Sequence, residues 1–90
     1  MKTCPCCGYK TLEDNSIYDI CEICYWEDDP IQFINPDYIG GANTTSLRQA
    51  QKNFIHIGAC DKDCLDVVRK ITEKDAKDLN WKPLCRISEL

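Results

Sequence analysis

The sequence predicts a small α+β fold, in which an N-terminal hairpin built on two cysteine pairs packs with two or three C-terminal helices. Three observations predict it. Two Cys-x-x-Cys pairs, Cys4/Cys7 and Cys21/Cys24, are separated by a spacer of 13 residues near the start of the chain. A helix-period apolar pattern with a stop signal at each end runs from Ser46 to Gly58. The chain has 90 residues, close to the length at which apolar burial alone leaves little margin, so an internal cross-link or a bound ion would add stability directly. The expected organisation is one unit over 1–90: a hairpin over 1–30, a short strand and loop over 31–45, and a helical part over 46–90.

In each pair, two intervening residues let both sulfurs turn toward one ion at about 2.3 Å, and the spacer lets the second pair complete a tetrahedron. Cys4, Cys7, Cys21 and Cys24 are therefore the expected ligands of a structural zinc ion. Four thiolates leave no coordination position for a catalytic water. Iron in a rubredoxin-like site uses the same sulfurs, and sequence does not choose between the metals. Eight cysteines also leave disulfides arithmetically open. That alternative needs export, and Met1-Lys2-Thr3-Cys4-Pro5 shows no apolar signal run, nor does any stretch approach about 20 apolar residues. The expectation is a soluble cytoplasmic protein with reduced thiols.

The elements follow in order. Pro5 restricts the first cysteine turn, and Gly8 supplies the positive φ with which its backbone turns toward the sulfurs. Lys10-Thr11-Leu12-Glu13 and Ile17-Tyr18-Asp19-Ile20 read as two strands of a hairpin joined at Asp14-Asn15-Ser16. Tyr25 stands where a glycine would be easier, which predicts a second cysteine turn that is tighter or differently shaped. Ile31-Gln32-Phe33-Ile34 reads as a short strand stopped by Asn35-Pro36, and Gly40-Gly41 as a loop. Ser46-Leu47-Arg48-Gln49 matches a capping box, with Leu47, Ala50, Phe54 and Ile57 facing inward until Gly58. Asp61 is expected to cap a second helix with Cys64 or Leu65, Val68 and Ile71 inward, and Thr72 to Leu79 to form a third that Trp81-Lys82-Pro83-Leu84 ends.

Other residues carry weaker signals. Cys6 lies between two ligands, and its side chain should point away from the ion; the neighbouring thiolates would raise its pKa and make it a poor redox sensor. His56, Cys60, Cys64 and Cys85 can be written as a second site, but Gly58 separates His56 from Cys64, so core thiols and a surface histidine explain them more simply. With one histidine and no thiol-imidazole pair or triad spacing, nucleophilic catalysis has little support, and the chain reads as a non-enzyme. Gly40-Gly41 lacks the Lys-Ser/Thr of a phosphate loop. Tyr25, Trp26, Glu27, Asp28 and Asp29, held beside a rigid metal site, form a candidate surface that offers aromatic and acidic groups together to a basic protein.

Charge narrows the partner class. The formal charge is −4, with 11 basic residues dispersed among 15 acidic ones, and four thiolates plus a divalent ion move it to about −6. Phosphate backbones are held by clustered Lys and Arg, so nucleic acid is disfavoured and a basic protein fits better.

Several motifs together carry a resemblance: Cys4-Pro5-Cys6-Cys7-Gly8-Tyr9, Tyr18-Asp19-Ile20-Cys21 with Cys24, Trp26-Glu27-Asp28-Asp29, Asn35-Pro36-Asp37-Tyr38, Gly40-Gly41-Ala42-Asn43, Ser46-Leu47 and Asn53-Phe54. Over about residues 4 to 60 the chain resembles the bacterial cysteine-rich CPCC family, and Trp81-Lys82-Pro83-Leu84 is similar to its usual tail. The resemblance implies a compact zinc-ribbon-like domain. Size, acidity and the missing catalytic set then point to a protein-interaction module, such as an immunity or antitoxin protein that covers the basic active site of a toxin. The competing classes are a zinc-ribbon regulator touching nucleic acid through Lys2, Lys10 and Arg48, and a thiol redox sensor.

Overall fold

The computed structural model describes residues 1–85, so the end of the predicted helical part, 86–90, lies outside the described residues. Strand β1, Lys2–Thr3, pairs antiparallel with β2, Lys10–Leu12, in the register Lys2↔Leu12 and Thr3↔Lys10 with an irregularity between Lys2 and Thr3. Two α-helices follow, α1 over Pro30–Ile34 and α2 over Leu47–Ile57, and then a single 3₁₀ turn over Lys62–Cys64. None of these helices is long and apolar enough to cross a membrane.

The N-terminal pairing differs from the expected hairpin. Lys10–Leu12 pairs backward with Lys2–Thr3 across the first cysteine turn, while Ile20 pairs forward with Glu27 across the second. The physical reason is proximity: each Cys-x-x-Cys turn is itself a reversal of the chain, so the residues flanking it meet first. The link between them is a loop in which Tyr18 takes a positive φ of 61° and Asp19 accepts a 2.8 Å bond from the Glu13 amide.

Residues 31–34, expected as a strand, are helical. Asp29 caps α1 by accepting from the amides of Ile31 and Gln32, and Pro30 occupies the first turn, where its missing N–H costs nothing. This Asp-Pro signal outweighs the apolar run that follows it.

Helix α2 starts and stops where the sequence predicts. Ser46 Oγ accepts from the Gln49 amide at 3.1 Å, and Gly58 ends the helix at φ 82°. The Gln49 side chain donates to Asn53 instead of completing the box. Leu47 and Ala50 face inward as expected, whereas Ile57 is exposed and Gln51 is buried in its stead. Gln51 spans two distant segments, donating to the Pro5 carbonyl at 2.8 Å and accepting from the Leu84 amide at 2.8 Å.

Beyond Asp61 the two further predicted helices are absent. Asp61 caps only the 3₁₀ turn, and Leu65 and Ile71, expected inward, are exposed. Here tertiary hydrogen bonds replace helical ones: Arg69 N donates to Glu22 O, Asp78 N donates to Gly8 O, and Ala76 O accepts from Lys10 N. Thr72 to Asp75 is a turn closed by the Asp75 carboxylate, which accepts from the Thr72 amide and from Arg69. The irregular segment 65–85, a series of turns, thus packs over the N-terminal cysteine turns. The core they enclose is Cys4, Cys6, Cys7, Leu12, Cys21, Ile23, Cys24, Trp26, Leu47, Ala50 and Cys60.

Candidate metal centre

The two cysteine turns are the same structure repeated 17 positions later. In the first, Cys4 N donates to Tyr9 O at 2.8 Å and Gly8 N to Cys4 O at 2.9 Å; in the second, Cys21 N donates to Trp26 O at 2.9 Å and Tyr25 N to Cys21 O at 2.7 Å. The flanking pairs Thr3↔Lys10 and Ile20↔Glu27 correspond as well. Gly8 takes φ 82° and Tyr25 takes φ 70°. The second turn is therefore neither tighter nor differently shaped, and Tyr25 bears the left-handed strain that Gly8 avoids.

This repetition brings four sulfurs together. Cys4 Sγ lies 3.6 Å from Cys24 Sγ, Cys7 Sγ lies 3.7 Å from Cys21 Sγ, and all four are within 4.8 Å of one another. Thiolates bound tetrahedrally at about 2.3 Å from a common centre stand about 3.8 Å apart, so these separations have the size of such a site. Bonded sulfurs would be about 2.05 Å apart, and all eight cysteines are free, which removes the disulfide alternative. All four side chains are fully buried.

Charge explains why an ion suits this arrangement. Cys21 is held far below the usual thiol range by hydrogen bonds from Cys24, Cys4 and Cys7 and by the Thr11 hydroxyl, which donates to its sulfur at 3.0 Å. Burial pushes Cys4 up, and Cys24 is pushed up by sharing its proton with Cys21. A divalent cation among these four buried sulfurs would stabilise them as thiolates and satisfy each sulfur. The donor set fits a soft or borderline metal held by Cys4, Cys7, Cys21 and Cys24.

The remaining cysteines lie outside that set. Cys6 is buried, and burial raises its thiol, with a hydrogen bond to Cys24 acting in the opposite sense. Cys60 is buried under the second turn, donating its amide to Cys24 O at 2.8 Å. His56 is exposed, and Cys85 lies 3.7 Å from the Arg48 guanidinium. Among the described residues His56, Cys60, Cys64 and Cys85 do not converge on one point.

The run 25–29 is divided between surface and interior. Tyr25 is exposed and Glu27 half-buried, Asp28 pairs with Lys2 at 2.7 Å, and Trp26 and Asp29 are buried. Asp29 is held below the usual carboxylate range by the Ala42 amide and by those of Ile31 and Gln32. Trp26 and Asp29 are therefore interior supports, and of the five residues only Tyr25, Glu27 and Asp28 keep accessible surface.

That interior support gives a role to two motifs that the sequence leaves unexplained. Asp29 Oδ2 accepts from Ala42 N at 2.9 Å, Gln32 Nε2 donates to the carbonyls of Tyr38, Asn43 and Thr45, and Asn43 Nδ2 donates to Gln32 Oε1 and to Glu27 O, each at 2.8 Å. Asn43 Oδ1 also accepts from Glu27 N at 2.9 Å. The Gly-Gly-Ala-Asn loop is thereby stitched to α1 and to the segment leaving the second cysteine turn. The usable sequence signals were Asp29-Pro30 for the cap and the 17-residue offset between turns.

Residues 2–75 match the family described as cysteine-rich CPCC, and the chain belongs to that family. No curated protein matches the chain.

Proposed function

We propose that this member of the cysteine-rich CPCC family is a structural zinc protein: a zinc-ribbon-like, non-enzymatic interaction module whose ion staples the two cysteine turns. The observation that carries this reading is the buried set of four sulfurs, with opposite members of the two turns 3.6 and 3.7 Å apart. Zinc is the ion of this reading because a buried, closed four-thiolate set is the usual structural zinc site; iron would use the same sulfurs. A saturated thiolate shell holds no water, so the ion's chemistry is structural.

The interaction surface of this reading is apolar. Phe33 is 60% and Ile34 82% exposed on α1, and with Ile17, Pro5 and Pro30 they line an open cavity of about 530 Å³ beside the Lys2–Asp28 pair. Exposed apolar clusters of this kind mark contact sites for other proteins. The acidic charge favours a basic partner, and an immunity protein facing a basic toxin is one member of that class. The test is metal analysis and visible absorption of the purified chain with and without Cys21→Ser, read beside thermal unfolding. One colourless metal per chain, lost together with the fold in the variant, is expected. Unchanged metal and stability would refute the ligand assignment, and a coloured iron protein would refute zinc. Failure to copurify any basic protein from the native cell would count against the partner class alone.

A further inference from the structure

We propose that the segment Lys77–Pro83 is a gate over Cys7, and that Cys7 is the sulfur through which the ion of the four-cysteine site is delivered and withdrawn. The inference rests on the metal-site reading above and adds a route to it.

The two cysteine turns are built alike but covered differently. The second lies under Cys60, whose amide holds Cys24 O, and under Arg69, whose amide holds Glu22 O. The first is covered by the tail. Asp78 N donates to Gly8 O at 2.8 Å, Thr3 Oγ1 to Asp78 Oδ2 at 2.6 Å, and Trp81 Nε1 to Pro5 O at 3.0 Å. The Trp81 ring lies flush on Gly8, where any β-carbon would collide with it. Lys77 Nζ stands 5.2 Å from the Tyr9 ring centre and 5.4 Å from that of Trp81, bridging the tail to the turn.

Between this tail and α2 lies a cavity of about 270 Å³ lined by Cys7, Phe54, Ile55, Lys77, Trp81 and Pro83. Of the four ligands, Cys7 alone lines it. The space exceeds the roughly 30 Å³ of one water several-fold, enough for the donor group of a small chelator or thiol. All four ligand side chains are fully buried while the tail is closed, so exchange requires something to move. The tail is the element proposed to move: Lys77–Pro83 contains no helix and no strand beyond the bridge Tyr9↔Lys77, and the few bonds from Asp78 and Trp81 named above pin it to the turn. Opening it uncovers Cys7 without disturbing Trp26, Ile23 or Cys60. In the exchange an incoming thiol or hydroxyl donor would give up its proton as it takes the place of Cys7, and the Cys7 sulfur would leave as a thiolate and take up that proton.

The test is stopped-flow transfer of zinc from the loaded intact chain to excess 4-(2-pyridylazo)resorcinol, after metal analysis has fixed the zinc-to-protein ratio. With equal loading, Trp81→Ala is expected to speed transfer roughly tenfold. Thr3→Val, which frees Asp78 but keeps the ring, is expected to speed it less, and carries the test if Trp81→Ala does not fold. Brief iodoacetamide labelling during transfer, read by peptide mass, should mark Cys7 ahead of Cys4, Cys21 and Cys24. Unchanged rates in the loaded variants overturn the gate while leaving the metal site standing. Labelling of all four cysteines at one rate also overturns it, since general loosening gives that pattern. A wild-type chain that binds no metal overturns the metal-site reading, and the gate with it.

Discussion

Gly41 lies against the Asp29 carboxylate so closely that a β-carbon there would stand 2.5 Å from Oδ2 and 3.0 Å from the Gln32 side chain. Neither neighbour is free to yield, because Oδ2 holds the Ala42 amide and Gln32 holds three carbonyls. Gly41→Ala is therefore expected to destabilise the protein by about 2 kcal/mol through overpacking. Gly40, at φ 87° with nothing within 4 Å of a β-carbon, loses only about 1 kcal/mol on the same change, from backbone strain. Urea unfolding of the two variants should reproduce that order.

Asp29 gives the fold an acid limit. Its carboxylate is lowered in the folded chain by the Ala42 amide, with help from Ile31 and Gln32, so its contribution is present above the unfolded value of about 3.9. That contribution is lost as pH falls through the lower folded value. Because acid also releases thiolate-bound metal, the informative quantity is the difference between wild type and Asp29→Asn. That difference should be constant from about pH 7 down to about pH 5 and shrink as Asp29 is protonated. Asp29→Ala should cost about 1 kcal/mol at neutral pH, the usual size of a lost N-cap.

Tyr25 is a place where the protein should gain. It adopts φ 70° with an exposed side chain, a conformation that costs a non-glycine residue about 1 kcal/mol. Tyr25→Gly is expected to raise the thermal midpoint of the metal-loaded protein by a few degrees, with unchanged metal content. A lowered midpoint would show that the ring's contacts outweigh the strain.

The cysteines should separate by role. Cys7→Ser or Cys24→Ser should abolish stoichiometric metal binding and leave the chain largely unfolded, as should a strong chelator on wild type. Cys6→Ser should keep the metal and cost only about 1–2 kcal/mol, because Cys6 lies outside the four-sulfur set and the change replaces a buried thiol with a hydroxyl of similar size. Metal-to-protein ratios and circular dichroism of the same samples decide both.

The parts of this fold written in local chemistry were legible, and those decided by distant partners were not. Ser46 and Gly58 announce α2 because a cap and a left-handed stop act within a few residues. The convergence of Cys4, Cys7, Cys21 and Cys24 was legible because Cys-x-x-Cys spacing is itself the geometry. Asp29-Pro30 was a local signal too, overridden in reading by the strand-like Ile31-Gln32-Phe33-Ile34. Leu65 and Ile71 fall at helical spacing, yet both are exposed, because Arg69 and Asp78 spend their amides on the cysteine turns. Trp26 reads as a surface aromatic beside three acids and is instead wholly buried. No periodicity in the sequence shows that Gly8 is small to admit Trp81.

The bonds from Thr3 to Asp78 and from Trp81 to Pro5 join positions 75 and 76 apart in sequence. A chain made from its N-terminus therefore presents both cysteine pairs long before it can shelter the first of them. Closure over that turn waits on synthesis reaching residue 81, and until then newly made thiols stand open to oxidants and to competing ions.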